Sequence, residues 1–540
     1  MVPRKVIDVT VGLGDGVTTG GGHDAAAIQH IIDWAPPGST IYFPRGTYDI
    51  RLNLVYVVDD LGPHLFSAIW DGLAAVRIGG APTSDISGNL VSHPPQWGIT
   101  LCGEGEQTVL MSGGSEPMLS IERSTDITIR NLSFDARRGK ATEAIQHVEP
   151  MPDTTPERSY PMVEIRSCQR LRVHDTRAFV SDQPDPGDDN YPHFPLDRPA
   201  FLFRDCKDVI FRRNCLEDSQ LSLASCKRVH ILENTFIRPV YRAIRVGQAG
   251  PFEWGFVPAP EPEFEQKAPA IDLGADEDYQ VVGNCIREPW VGGIAFVHAD
   301  ATRNIADMRR IRIHGNAITR QHPEELRLVG VVGLPYHVFL FGIRVGEYIP
   351  PDYDPSLLKE IAKSYEDIRI ESNAVEMIQT NMEREASRER VSAFIGGLSR
   401  GISVMCSDLE EEVRRVWLRG NSVTGPPVGL GIWAGADGEL VGTIRDATIG
   451  DNLAMGSFGL AVTNAHSCHI FQNRAAGLTF SSAFRNRFVA NLLVLPEVPL
   501  APSLAVDTRF ASDIFAQNLP EWVQEDLEWW IARREAAGGE

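Results

Sequence analysis

No run of apolar residues in this 540-residue chain approaches the ~18 needed to cross a bilayer, so no membrane partner is expected. None of the 8 cysteines falls in a Cys-x-x-Cys pair, which argues against zinc ribbons and thioredoxin-type sites. Buried free thiols are the expectation instead of disulfides, since a free cysteine behaves as a small apolar residue. No His-Glu-x-x-His and no Gly-Lys-Ser/Thr string occurs, so neither zincin nor P-loop chemistry is expected. Gly12-Leu-Gly-Asp-Gly16 has the glycines of a nucleotide loop without its lysine. Positive charge is also short: 51 Lys and Arg stand against 72 Asp and Glu, a formal net charge of −21. So acidic a surface repels phosphate backbones, and nucleic acid is not an expected partner. The same repulsion makes neutral glycans easier ligands than polyuronates, unless a local basic groove or bridging cations intervene. Arg4 and Lys5 are followed by no apolar core, so no signal peptide is read and a cytoplasmic location is expected.

A repeat is present. Ala200-Phe-Leu-Phe-Arg-Asp-Cys206 precedes Val209-Ile-Phe-Arg-Arg-Asn214; Gln220-Leu-Ser-Leu-Ala-Ser-Cys226 precedes Val229-His-Ile-Leu-Glu-Asn234. Asn closes an alternating apolar strand again at Asn131, Asn284, Asn316, Asn373, Asn421, Asn452, Asn473 and Asn491, with Asp175 standing in once. A period near twenty residues is too short for a βαβ unit, whose crossover alone takes a dozen residues. It suits a solenoid of short parallel strands. Asn tolerates the left-handed conformation of a sharp turn, and stacked Asn side chains bond along a ladder.

The N-terminus reads Gly14-Asp-Gly, then Asp24-Ala-Ala-Ala-Ile-Gln29, then Ile41-Tyr-Phe-Pro-Arg-Gly-Thr-Tyr48. Asp24 is placed to cap a helix over 25–34 whose apolar face is Ile28, Ile31 and Ile32. Such a helix covers the open end of a solenoid. This order of motifs resembles the N-terminal cap of the pectate-lyase-like superfamily, which includes polygalacturonase-like hydrolases, lyases, epimerases and phage tailspikes. The resemblance implies an all-β fold, a right-handed parallel β-helix with a capping helix and loop insertions. It also implies a groove for a poly- or oligosaccharide and, by analogy, a homo-oligomer such as a trimer. The motif is architectural and carries no catalytic group.

The expected organisation is a cap over 1–50, an inserted lobe over 51–96, the β-helix over 97–515 and a C-terminal helix in 516–540. Insertions are expected at 135–161, 181–199, 250–268, 350–366 and 376–400. In a solenoid they gather on one face, often the binding face.

The strands after the turns align as Met162-Val-Glu-Ile-Arg, Leu221-Ser-Leu, Ala243-Ile-Arg-Val, Ala270-Ile-Asp-Leu, Gly293-Ile-Ala-Phe, Gly342-Ile-Arg-Val, Gly401-Ile-Ser-Val and Gly431-Ile-Trp-Ala. Side chains alternate along a strand, so the residues between the apolar pairs point outward. They are Glu164, Ser222, Arg245, Asp272, Ala295, Arg344, Ser403 and Trp433. Cleaving a glycosidic bond takes one carboxyl to protonate the leaving oxygen and another to activate water or attack. Asp272 and Glu164 are the candidate catalytic acids, with Asp218, Glu253, Asp300 or Glu347 as nearer alternatives. Arg245, Arg344 and Ser222 are candidate substrate ligands, and Trp433 offers a flat face to a sugar ring. His298 is a weaker candidate base. The expected activity is glycosidic bond cleavage or rearrangement without an organic cofactor. A polysaccharide lyase or uronate epimerase, and a glycan-binding protein without activity, remain open alternatives. No dedicated metal site is assigned, although the loop Asp182–Asn190 has oxygen ligands of the kind Ca²⁺ takes.

Overall fold

The computed structural model describes residues 5–11, 24–50, 74, 76–79, 83–84, 90–91, 95–112, 117–136, 161–181, 199–239, 242–247, 276–289, 292–296, 308–322, 341–346, 364–378, 400–406, 412–426, 428–434, 443–455, 459–463, 465–475, 478–481, 483–484, 487–489, 491–493, 505–506 and 509–510. They form an all-β parallel β-helix, in which three parallel sheets are built one strand per coil. The chain divides into two compact units, one mainly Met1–Gln248 and Phe256–Trp290, the other mainly Val291–Glu324 and Pro335–Glu540.

In the first unit a typical coil runs Lys207–Arg212 in the first sheet, Cys215–Glu217 in the second and Gln220–Ala224 in the third. The next coil repeats it in register, Lys207 against Lys227 and Cys215 against Thr235. Apolar residues at alternate positions stack into interior columns. The first sheet supplies Ile41, Leu101, Ile129, Val173, Phe211 and Ile231; the third supplies Ile78, Ile121, Ile165, Phe203 and Leu223. All are buried. Removing such a side chain from water is worth about 1.5–3 kcal/mol, so every coil brings its own share of the core. In the second unit the same pattern gives Ile313, Ile370, Leu418, Ile449 and Ile470.

The helix Asp24–Trp34 buries Ile28, Ile31 and Ile32 and packs on the strands Gly46–Asp49 and Val76–Ile78. Asp24 opens it, and its Oδ2 accepts the backbone N–H of Asp49 at 3.0 Å. Gln29 grips Arg77 from both sides, its Nε2 donating to the Arg77 carbonyl and its Oε1 accepting the Arg77 N–H. Val76–Ile78 lies inside the stretch 51–96 and is a strand of the third sheet, pairing with Leu119–Glu122.

The asparagine ladder runs inside the turn between the first and second sheets. Asn234 Oδ1 accepts both the N–H and the Nδ2 of Asn214, at 2.9 and 3.1 Å, while Asn214 Nδ2 also donates to Val173 O. Asn284 does the same for Asn234. In the second unit Asn316, Asn373, Asn421, Asn452, Asn473 and Asn491 repeat it. Two expectations are corrected. Thr176, not Asp175, holds the ladder position, donating its N–H and its hydroxyl to Asn214 Oδ1. The register also places Leu132 on the ladder and Asn131 opposite Asp175 in the adjoining left-handed position. The reason is that two neighbouring turn residues do different work: one takes φ near +50°, the next turns its side chain inward.

Those left-handed positions carry ion pairs. Arg170 forks onto Asp126, Arg228 onto Asp208, Arg213 onto Asp175 and Arg238 onto Asp218. Arg170 holds the Asp126 carboxyl below the usual range, and Arg228 does the same for Asp208. Non-glycine residues at φ +48 to +59 are strained. Asp is among the residues that tolerate this, and stacking opposite charges keeps these corners free of like-charge contacts.

Candidate functional site

The outer face of the third sheet is where sequence reasoning put the site. In the first unit it is a continuous row: Arg77, Ser120, Glu164, Leu202, Ser222 and Arg245 in register. Glu164, Ser222 and Arg245 are thus brought onto one face as expected. In the second unit Ala295, Arg344 and Ser403 share the corresponding row. Trp433 does not follow Ser403. Gly431 stands opposite Ser403, and Trp433 lies two residues further along, opposite Met405. Val428-Gly-Leu-Gly-Ile-Trp repeats its Gly-apolar pattern at a spacing of two, which offers two alignments of the same outward parity. Asp272 lies outside the described residues, as do Glu253, Asp300, Glu347, His298, the loop 182–190 and the C-terminal helix.

The row is less open than a trough of outward side chains would be. Ser120 is 2 % exposed, Glu164 4 %, Ser222 5 % and Ser403 1 %, whereas Arg245 and Arg344 are half-buried. The hydroxyls of Ser222 and Ser403 are buried with no hydrogen-bond partner among the described residues. A buried hydroxyl normally finds a partner, so such exceptions call for an explanation. Arg344 lays its guanidinium over the ring of Phe341, 4.9 Å from the centroid.

Two residues along, a second row emerges toward solvent: Glu122, Arg166 and Arg204. Together the rows make a charged cluster. Arg166 donates from Nε to Glu164 Oε1 at 2.8 Å and from Nη2 at 2.5 Å, with its side chain 41 % exposed. Arg77 Nη2 lies 3.9 Å from Glu122 Oε1. At the end of the Pro199–Arg204 strand, Asp205 sits at φ 52 in the turn. Burial raises its carboxyl above the usual carboxylate range, against the opposing pull of Arg204 and Arg166. Burial of this kind favours the neutral form.

Arg166, Arg204, Glu122 and Asp205 were not singled out from sequence. The signal available was the outward parity two positions beyond Glu164, which the column of single residues discarded. Asp218, the loop acid offered as a catalytic alternative, is instead held by Arg238 at a corner. The string Gly397-Leu-Ser-Arg-Gly401 spells Gly-x-Ser-x-Gly, but it runs into the strand Arg400–Cys406 of the third sheet. A serine elbow needs a helix there.

Elsewhere on the first unit, an open depression of about 310 Å³ on the first sheet is lined by Thr40, Thr100, Thr128, Arg130, Arg172 and His174. His174 Nδ1 lies 2.7 Å from Asp175 Oδ2. On the second unit, Trp417 lies on the first sheet beneath the guanidinium of Arg369, 4.5 Å from the ring centroid. Among the described residues no group of three His, Cys, Asp or Glu is placed to hold a metal ion, and no helix is long and apolar enough to cross a membrane. Seven cysteines are free thiols: Cys102, Cys168, Cys206, Cys215, Cys226, Cys285 and Cys468.

No protein-family model matches the chain, and no curated protein matches it in sequence. Solved structures do. A Yersinia enterocolitica family 28 exopolygalacturonase is 10% identical, with 94% of this chain and 79% of that one covered, at a TM-score of 0.49. A Streptomyces thermodiastaticus GH87 α-1,3-glucanase is 13% identical over 95% and 71%, at 0.46. The Streptococcus pneumoniae surface adhesin PfbA is 12% identical over 90% and 100%, at 0.45. What the chain shares with them is architecture, and the register of its own strands establishes it: a parallel β-helix of three sheets.

Proposed function

We propose that this protein hydrolyses glycosidic bonds in a poly- or oligosaccharide at the outer face of the third sheet in its first unit. The observation that carries the reading is Arg166. It binds Glu164 directly, and its charge acts on Asp205, a carboxyl whose burial raises it. Two acids in different surroundings can divide the acid and base roles that glycosidic cleavage needs. Asp205 is the proton donor to the leaving oxygen. Glu164, its Oε1 fixed by the Arg166 fork, is the base or nucleophile. Glu122, beside Arg77, completes the charged surroundings, and Ser222 and Arg245 hold hydroxyl groups of the sugar.

Incubation with a panel of purified glycans tests this. Release of reducing ends supports hydrolysis, and loss of that release by ~10²-fold or more in Asp205→Asn and Glu164→Gln supports the roles given. An unsaturated product absorbing in the ultraviolet would replace hydrolysis by elimination. Binding without product would leave a glycan-binding protein. Full activity in both variants would remove the assignment.

A further inference from the structure

The first sheet of the second unit carries a row unlike any other on the described surface. Arg312, Arg369, Trp417, Thr448 and His469 follow one another in register on successive coils, all on the outer side. The indole of Trp417 is half-buried and has two faces along the stack. The guanidinium of Arg369, from the preceding coil, lies over one of them. On the other side its register neighbour is Thr448, a short side chain.

The charge around the ring is positive in a chain whose sum is −21. Arg414 and Arg445 share Glu412, and Arg419 meets Asp451 at 2.9 Å, so each of those cations already has a carboxylate partner. Arg312 is exposed and has no ion-pair partner among the described residues. Arg369 pairs with Asp367 at 3.6 Å through Nε, which makes no hydrogen bond among the described residues, so the rest of its guanidinium fork stays available. Two guanidiniums with donors to spare therefore stand one coil apart, next to a flat aromatic ring. Arginine forks match carboxylates in bidentate geometry, and aromatic faces take the apolar face of a sugar ring.

We infer that this row binds an acidic oligosaccharide: one ring stacks on Trp417 over Thr448, and uronate carboxylates are held by Arg312 and Arg369. The occupant is acidic because charge complementarity selects it, against the repulsion of the rest of the surface. A neutral glycan uses the ring alone and brings no carboxylate to Arg312. The site is separate from the proposed hydrolytic centre and does not depend on it. A protein that cleaves nothing would still bind here.

Calorimetric titration of the full chain with hexagalacturonate and with uncharged cellohexaose decides the matter. Hexagalacturonate binds and cellohexaose does not, and the binding weakens as salt is raised. Trp417→Ala and Arg312→Gln each weaken it by roughly tenfold or more. Trp417→Phe, which keeps a stacking ring in the same place, retains most of the affinity and excludes a folding defect as the cause. Arg170→Gln, at an exposed corner of the first unit, binds as the unaltered chain does. No binding of hexagalacturonate, equal binding of cellohexaose, or full affinity in Trp417→Ala would overturn the inference.

Discussion

Thr176 gives Asn214 Oδ1 the same backbone N–H bond that Asn214 gives Asn234, but it has no amide to pass on to the coil before it. The ladder's cooperativity therefore resides in the asparagines. Asn234→Ala removes the acceptor of Asn214 N–H and Nδ2 and the donor to Phe211 O, leaving several buried groups unpaired. At about 1–3 kcal/mol for each unsatisfied group, the cost is several kcal/mol. Thr176→Val removes only the hydroxyl bond, 2.8 Å long, and costs about 1 kcal/mol. Thermal melting of the two variants checks the order. Equal losses would mean that the side-chain ladder adds nothing beyond the strands.

Asp276 ends a column of small interior residues, Cys168, Cys206 and Cys226, and accepts the Cys226 N–H at 2.8 Å and the Tyr279 hydroxyl at 2.6 Å. Its complete burial raises the carboxyl from 3.8 to about 6, partly offset by those two donors. The folded state therefore binds this proton more tightly than the unfolded one. Its contribution to stability is fully present below about pH 4 and is lost as pH rises through about 6. The gap between the two values corresponds to about 3 kcal/mol. Asp276→Asn keeps the acceptor oxygen and cannot ionise. The variant's melting temperature relative to the unaltered chain should climb between pH 4 and 6 and then stay level. A difference that does not change with pH would show that folding does not raise the Asp276 carboxyl.

The sheet architecture was legible because burial imposes a period of two on the strands, while the turns impose Asn at the end of each. Glu164, Ser222 and Arg245 were found by that period alone. It failed at Trp433, where repeated glycines left two registers of equal parity. It also failed at Asn131 and Asp175, where a turn has two adjacent polar positions and sequence does not say which faces inward. Asp205 was illegible for another reason. In sequence it is one more turn aspartate like Asp126 or Asp208, both of which an arginine fork pulls the other way. Only the folded surroundings distinguish them. Asp272, the first choice from sequence, has its nearest described neighbour at Asp276, which begins a first-sheet strand.

The pairing of Arg166 with Glu164 predicts how activity responds to the guanidinium itself. Arg166→Lys keeps the charge but cannot place two donors on Oε1, so kcat falls while Asp205 still feels a cation. Arg166→Gln removes the cation as well. Because that charge pulls the Asp205 carboxyl down against burial, its loss raises Asp205 further. The alkaline limb of the rate profile, set by loss of the Asp205 proton, then moves to higher pH in the glutamine variant and stays in place in the lysine variant. Identical limbs in both would detach Asp205 from the reaction.

Cysteine labelling gives an independent check on the coil register. Cys168 and Cys468 face the interior, where burial pushes both thiols up to about 12, and burial beside Cys226 likewise raises Cys206. The thiolate is the reactive form, so these groups are inert to alkylation in the native state. Cys215 and Cys285 lie on the outer side of the second sheet, opposite Thr235 from its two sides, and are half-exposed. Burial still raises Cys215, which slows it at neutral pH without closing access. Brief iodoacetamide treatment followed by peptide mass spectrometry should mark Cys215 and Cys285 and spare Cys168, Cys206, Cys226 and Cys468. A slip of one residue in that sheet exchanges its inward and outward side chains. Protection of Cys215 would therefore contradict the register of the second sheet, and early labelling of Cys206 or Cys226 would contradict the inward facing of the corner column.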